Sequence, residues 1–339
     1  MKNSKKNNST FIIAEIAQAH DGSLGIAHSF IDAAKECGAD AVKFQTHISE
    51  IESSSDEPFR IPFSYKDKTR QDYWKRTAFS NQEWHQLKNH CDDINIEFLS
   101  SPFSIAAIKL LESIGMKQYK IASGEISNNL LIDTIAKLKK PMILSSGLST
   151  INDIQKCINR IEKYHKKYSV LQCTSEYPTL EKHIGLNVLH EFKETFNCPV
   201  GLSDHSGTPE PALAAVSLGA TIIECHLTFD KAMFGPDAIA SLNCKSFKKM
   251  VSSIRKIETY LNNPIDKTKS TNTKLQTIFG KSITNNQALK KGTQIKASHL
   301  DTKKPANKGI SCENYEKILG KTLNKDLKEF SFIQESDLD

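Results

Sequence analysis

The chain carries eight cysteines in 339 residues, yet no C-x-x-C pair and no tight cluster, which argues against both a zinc ribbon and a disulfide framework. They lie at 37, 91, 157, 173, 198, 225, 244 and 312, mostly in apolar segments, and read as small buried hydrophobes. No stretch approaches the roughly 20 apolar residues that a membrane span needs. The polar, basic opening "MKNSKKNNST" runs directly into "FIIAEIA", which is too short and too acidic for a signal-peptide core. These absences lead to the expectation of a cytoplasmic protein with no membrane partner. No arginine-rich run with interleaved aromatics occurs, so nucleic acid is a poor fit as a partner. The net charge of +6 is uneven: 14 Lys and Arg stand against 9 Asp and Glu from Pro264 onward, and 31 against 30 before it. A modest positive bias suits a small anionic substrate better.

What is present is a repeated rhythm. Short apolar runs end in polar residues, and a helical pattern follows each. The runs are "FIIAEIA" (11–17), "AVKFQTH" (41–47), "EFLSSP" (97–102), "QYKIASGE" (118–125), "PMILSSG" (141–147), "VLQCTSEYP" (170–178), "PVGLSDHS" (199–206) and "TIIECHLTFD" (221–230). Between them lie stretches such as "GIAHSFIDAAKECG" and "SIAAIKLLESIG", with apolar residues at i, i+3 and i+4. Glycines at 38, 115 and 219 follow several of these helices, where a left-handed cap is expected. Eight strand–helix units predict a parallel (β/α)8 TIM barrel. A doubly wound sheet is the alternative, but no G-x-G-x-x-G follows the first strand.

In such a barrel the strands' C-terminal ends converge on one mouth. Here those ends carry Glu15, Lys43, Gln45, Ser101, Lys120, Ser123, Glu125, Ser145, Ser175, Tyr177, Ser203, His205 and His226. Two consecutive strands each bring a histidine, one beside Asp204 and one near Glu224. Such a pair is either a shared metal site or two satisfied core histidines. Residues 48–80 interrupt the rhythm as a long insertion, either a substrate loop or a surface excursion. Residues 1–261 are thus expected to form the barrel domain and 262–275, polar with a proline, a linker. The last part, 276–339, has short apolar pieces and turn residues, and predicts a small, mostly β domain with a thin core.

The segments "IIAEIAQAHDGSLGIA", "AVKFQTH", "SSPFS", "YKIASGE", "ILSSGLST", "CTSEYPT", "GLSDHSG", "ECHLTFD" and "GPDAIASL" together resemble the sialic acid synthase family. The tail resembles that family's antifreeze-like SAF domain, a β-clip. The resemblance runs from about Phe11 to Leu338 and implies an enzyme, a transferase that condenses phosphoenolpyruvate with an N-acyl hexosamine such as N-acetylmannosamine. It implies a divalent metal, manganese by family habit with magnesium or cobalt as alternatives, on His205 and His226. Lys43, Gln45, Ser101, Lys120, Ser123, Ser145, Ser175 and Ser203 match positions that hold phosphoenolpyruvate. Glu15 and Glu125 match the acidic pair that handles water and protons. Tyr177 and Asp237 match sugar contacts.

Two departures stand out. "QAHDG" has Ala19 where relatives often have asparagine, and "KPA" puts Lys304 where relatives have an arginine that reaches the sugar's acyl group in the partner subunit. The resemblance therefore also implies a homodimer with exchanged tails. Related readings are a synthase of a legionaminic- or pseudaminic-type acid from another or a phosphorylated amino sugar, and a non-catalytic sugar-binding protein. The paired lysines, glutamates and histidines argue against the last.

Overall fold

A computed structural model of the chain describes residues 9–269 and 272–339. The basic opening segment 1–8 and residues 270 and 271 of the expected linker lie outside the described residues. The chain divides into two compact units, Met1–Asn263 and Pro264–Asp339.

Eight parallel strands build the first unit: β1 (Phe11–Ala17), β2 (Ala41–Thr46), β3 (Glu97–Pro102), β4 (Tyr119–Ile121), β5 (Met142–Ser145), β6 (Tyr168–Cys173), β7 (Val200–Asp204) and β8 (Ile222–Thr228). They follow one another in the order β3-β2-β1-β8-β7-β6-β5-β4, and β3 touches β4 across the remaining gap. The result is a nearly closed (β/α)8 barrel. Its helices start where the sequence supplies caps: Ser23, Ser80, Ser104, Asn128 and Thr150 each accept a backbone N–H of the first turn. The helix Ile151–Ile161 shows the packing logic, burying Ile154, Cys157, Ile158 and Ile161 along one stripe against the barrel.

All eight expected runs are strands, with three differences at the ends that matter for the site. Pairing of β4 stops at Ile121, and a 3-10 turn carries Ser123–Glu125. Pairing of β6 stops at Cys173, opposite Ser203 of β7, which leaves Ser175 and Tyr177 in the following loop. His226 lies inside β8 rather than at its end. The insertion is not a bare loop either: it contains the helices Ser49–Glu52 and Arg70–Thr77, the latter closed by a capping box between Thr69 and Asp72.

The barrel interior is layered. Ile13, Ala41, Leu99, Ile143, Leu171 and Ile222 form a small apolar cluster inside the ring of strands. Side chains alternate along a strand, so the residue two further on points the same way, one layer nearer the C-terminal ends. Those residues are Glu15, Lys43, Ser101, Ser145, Cys173 and Glu224. The polar floor of the mouth is thus set by period two above an apolar plug. On β7 the plug position is Gly201, where a Cβ would lie 2.1 Å from the Ile222 carbonyl oxygen and 2.7 Å from Leu171 Cδ2. Two residues on from Gly201 comes Ser203, and two further His205.

The second unit has its own core of Ile283, Leu289, Ile295, Ile310, Ile318, Leu323, Leu327 and Ile333. Ser282–Asn285 pairs antiparallel with Leu300–Lys303, and isolated bridges link the rest. A helix, Thr273–Phe279, begins inside the stretch read as linker, because the Asn272 side chain accepts the Leu275 N–H at 3.0 Å and caps it. On the other side the helix Cys244–Asn262 runs up to the same stretch. Among the described residues no helix is long and apolar enough to cross a membrane.

Candidate active site

The mouth has two tiers. The inner one is a small cavity of about 50 Å³ whose floor is ionic. Lys43 Nζ lies 2.7 Å from Glu15 Oε2 and 3.6 Å from Glu224 Oε1. Lys120 Nζ lies 3.2 Å from the same Glu224 oxygen and donates to Ser145 Oγ at 2.6 Å. Ser203 Oγ donates to Glu224 Oε1 at 3.3 Å, and Gln45 Nε2 donates to Glu15 Oε1 at 2.9 Å. Lys43 also reaches Ser101 Oγ at 3.4 Å. All four charged groups are buried.

The two carboxylates respond oppositely. Burial raises Glu15 to about 7, with Lys43 working against it and Glu224 adding to it. Burial also works to raise Glu224, but the ammoniums of Lys120 and Lys43 outweigh it and pull that carboxyl down to about 2. Burial works against the Lys43 ammonium, which Glu15 and Glu224 nevertheless hold above its ordinary range. Near neutral pH the floor therefore carries two ammoniums, one fixed carboxylate and one partly protonated carboxyl. That is a net positive pocket for a small anion.

On the β5 side a cradle opens. A Cβ on Gly147 would meet Ser175 Oγ at 2.3 Å, Ser123 Oγ at 2.7 Å and Cys173 Sγ at 3.0 Å. The glycine keeps this space clear between two hydroxyls that face it, while its own N–H donates to Ser123 Oγ at 3.1 Å.

Above the floor stand the imidazoles. The His205 and His226 ring centroids are 5.3 Å apart. Thr174's carbonyl oxygen lies 2.9 Å from His205 Nδ1, which fixes the proton there and leaves Nε2 with its lone pair. Burial pushes His226 down to about 3, so that ring is neutral at pH 7. Burial also works against charge on His205, but contact with Cys173 outweighs it and raises that imidazole. The two imidazoles, His226 neutral at pH 7 and His205 set against Thr174 and Cys173, fit half of a metal's donor set. Among the described residues no group of three or more His, Cys, Asp or Glu side chains could hold a metal ion, so the remaining donors would be water or substrate oxygen.

The outer tier is a cavity of about 490 Å³ that shares Gln45, Ser123 and Tyr177 with the inner one and adds Ser175 and Asp237. Tyr177 stacks on His205 at 4.0 Å. Asp237 is held below the usual carboxylate range: burial would raise it, but His226 and Arg60 outweigh that.

The structure thus brings thirteen of the fifteen expected residues to the two cavities. Glu125 lines neither; it sits on the 3-10 turn after β4, accepts from Asn128 Nδ2 at 2.7 Å, and is raised by burial and the nearby Glu52. Lys304 belongs to the second unit, where it is exposed and its ammonium lies 5.1 Å from the Phe279 ring centroid.

With that geometry in place, comparison with known proteins is decisive. The NeuB family profile matches residues 30–266, and the SAF domain profile matches 281–339. The chain belongs to the NeuB family. It is 36% identical over 332 residues to the N,N'-diacetyllegionaminic acid synthase of Campylobacter jejuni, covering 96% of this chain and 99% of that one. To the N-acetylneuraminate-9-phosphate synthase of Homo sapiens it is 30% identical over 333 residues, covering 97% and 92%. The solved structure of the N-acetylneuraminic acid synthetase of Leptospira borgpetersenii, in complex with citrate, matches with a TM-score of 0.70 at 30% identity, over 80% of this chain and 93% of that one.

For this NeuB-family barrel, reading strand ends alone missed three residues. Glu224 shares the inward face of β8 with His226, a signal that strand alternation carries. Cys173 was read with the other cysteines as a buried hydrophobe, yet it lines the inner cavity. Arg60 comes from the insertion, whose fold no repeat pattern announces.

Proposed function

We propose that the protein condenses phosphoenolpyruvate with the open-chain aldehyde of an N-acyl hexosamine, giving a sialic acid or related nonulosonic acid and inorganic phosphate. The inner cavity carries this reading: two buried lysines and a ring of hydroxyls lie under two imidazoles, beside two carboxylates of unlike acidity. Lys43 and Lys120 bind the phosphate and carboxylate of phosphoenolpyruvate as point charges, and Gln45, Ser101, Ser123, Ser145, Ser175 and Ser203 supply neutral hydrogen bonds. Tyr177 and Asp237 orient the acceptor in the outer cavity.

The vinyl carbon attacks the aldehyde carbon, and the aldehyde oxygen takes up a proton to become a hydroxyl. Water adds at C2, and its proton passes to Glu15, whose pKa of about 7 suits a general base at neutral pH. The C2–O bond to phosphate then breaks as the C2 carbonyl forms, and the departing phosphate takes up the proton of the C2 hydroxyl. Glu125, on the 3-10 turn after β4, is the second carboxylate that the family resemblance assigns to the proton traffic. His205 and His226 would hold a divalent ion, manganese by family resemblance with magnesium or cobalt as alternatives, which when bound supplies Lewis-acid polarisation of the aldehyde.

The family resemblance further supports a homodimer in which each SAF unit brings Lys304 to its partner's outer cavity. The eight free cysteines support a cytoplasmic location. Phosphate release from phosphoenolpyruvate, measured with a panel of acylamino hexoses, tests the reading. Release that needs no acylamino hexose would overturn it.

A further inference from the structure

The segment between β2 and the helix Asn81–Asp93 stands outside the strand–helix repeat, yet it supplies much of the outer cavity's wall. Phe59, Ile61, Phe63, Tyr73 and Trp74 all line that cavity. The aromatic ones pack against one another: Phe63 meets Phe59 at 5.5 Å and Tyr73 at 5.1 Å, and Trp74 stacks on His47 at 3.7 Å. A wall of this kind favours methyl and acyl groups over hydroxyls.

The segment also brings two guanidiniums to the cavity, and each is already met by a carboxylate. Arg70 Nη1 lies 3.0 Å from Glu57 Oε1. Arg60 Nη2 donates to Asp237 Oδ1 at 2.7 Å and to the Pro236 carbonyl at 3.2 Å. The Arg60 guanidinium also lies 3.8 Å from the Tyr177 ring centroid. Because Tyr177 stacks on His205, one arginine of the insertion fixes both expected sugar contacts and, through the tyrosine, abuts an imidazole of the inner tier.

Building on the proposed function, we propose that Arg60 determines acceptor specificity, locking Asp237 and Tyr177 into a site for an uncharged hexosamine with a second acylamino or deoxy-methyl group against the aromatic wall, and not for a sugar phosphate. The physical reason is competition. A phosphate dianion needs a cation, and both guanidiniums that the insertion brings to this cavity are already paired with carboxylates. Taking Arg60 would leave Asp237 as an unpaired, largely buried carboxylate, which is strongly unfavourable. An uncharged acceptor leaves the pair intact and gains apolar contact.

The test combines calorimetric binding with turnover on the full-length protein, using N-acetylmannosamine, a 2,4-diacetamido-2,4,6-trideoxyhexose and N-acetylmannosamine 6-phosphate. The diacetamido sugar is expected to bind roughly tenfold or more tighter than the phosphate, a discrimination of the size that apolar and charge contacts give. Arg60→Ala should abolish that preference and raise the acceptor KM about tenfold, with the phosphoenolpyruvate KM unchanged. Arg60→Lys should not rescue it, because an ammonium lacks the planar fork that stacks on Tyr177 while bonding Asp237. Thermal melting of both variants checks that they fold. Tighter binding of the 6-phosphate by the wild type, or an Arg60→Ala variant with unaltered acceptor selectivity, would overturn the proposal. If selective, Arg60-dependent binding is seen but no acceptor supports phosphate release, the pocket assignment stands and the proposed reaction falls.

Discussion

Glu15 and Glu224 flank a single ammonium, that of Lys43, at 2.7 and 3.6 Å, and only Glu15 is left able to exchange a proton near neutral pH. The difference arises because Glu224 has a second lysine, Lys120, at 3.2 Å, whereas burial dominates at Glu15.

If Glu15 accepts the proton of the attacking water, its carboxylate form is the active one. The rate should then rise as pH increases through about 7. Glu15→Gln should remove that limb of the pH profile and lower kcat by roughly a hundredfold or more, with little change in either KM. An unaltered profile in the variant would return Glu15 to a purely structural ion pair.

The lysines make a paired prediction. Lys43→Ala and Lys120→Ala should each raise the phosphoenolpyruvate KM by about tenfold to a hundredfold, the loss of one charge-assisted contact. Lys120→Ala should also destabilise the fold by about 3 kcal/mol, because Glu224 loses a partner while still buried. Adding Glu224→Ala should recover much of the stability in denaturant titrations without restoring the KM. A KM change confined to the hexosamine would invert the placement of the two substrates.

For the imidazoles, His205→Ala and His226→Ala should leave the fold intact and abolish metal-dependent phosphate release. Metal content by mass spectrometry should fall with them. A chelator should inactivate the wild type and manganese should restore it. Because contact with Cys173 favours the charged His205 ring, metal affinity should weaken as pH falls. Full activity in either alanine variant would contradict the ligand assignment.

Subunit mixing addresses the proposed tail exchange. Lys304→Glu and Glu15→Gln subunits, each inactive alone, should regain activity when co-assembled, since one mixed site would carry neither lesion. A dead mixture containing verified heterodimers would confine each tail to its own barrel.

The barrel was legible in the sequence because eight apolar runs alternate with amphipathic stretches. Lys43, Ser101, Ser145 and Ser203 came from the polar ends of those runs, and period two above the apolar plug is the physical reason they share the inward face. Glu125 departs from the strand-end pattern: β4 stops at Ile121, and Glu125 sits on the 3-10 turn that follows, lining neither cavity. Arg60 was unreadable, because its position depends on how the insertion packs on Tyr177 and Asp237, contacts 117 and 177 residues away in the chain. The linker was over-extended for a local reason, since an asparagine cap at 272 starts a helix that composition alone does not reveal.

The most direct test of the central claim follows the oxygen that joins C2 of phosphoenolpyruvate to phosphorus. With that bridging oxygen isotopically labelled, C–O cleavage places the label in the released phosphate. The account predicts labelled phosphate, formed together with a nonulosonic acid and only when an acylamino hexose is present. Unlabelled phosphate, or release without the acceptor, would contradict it.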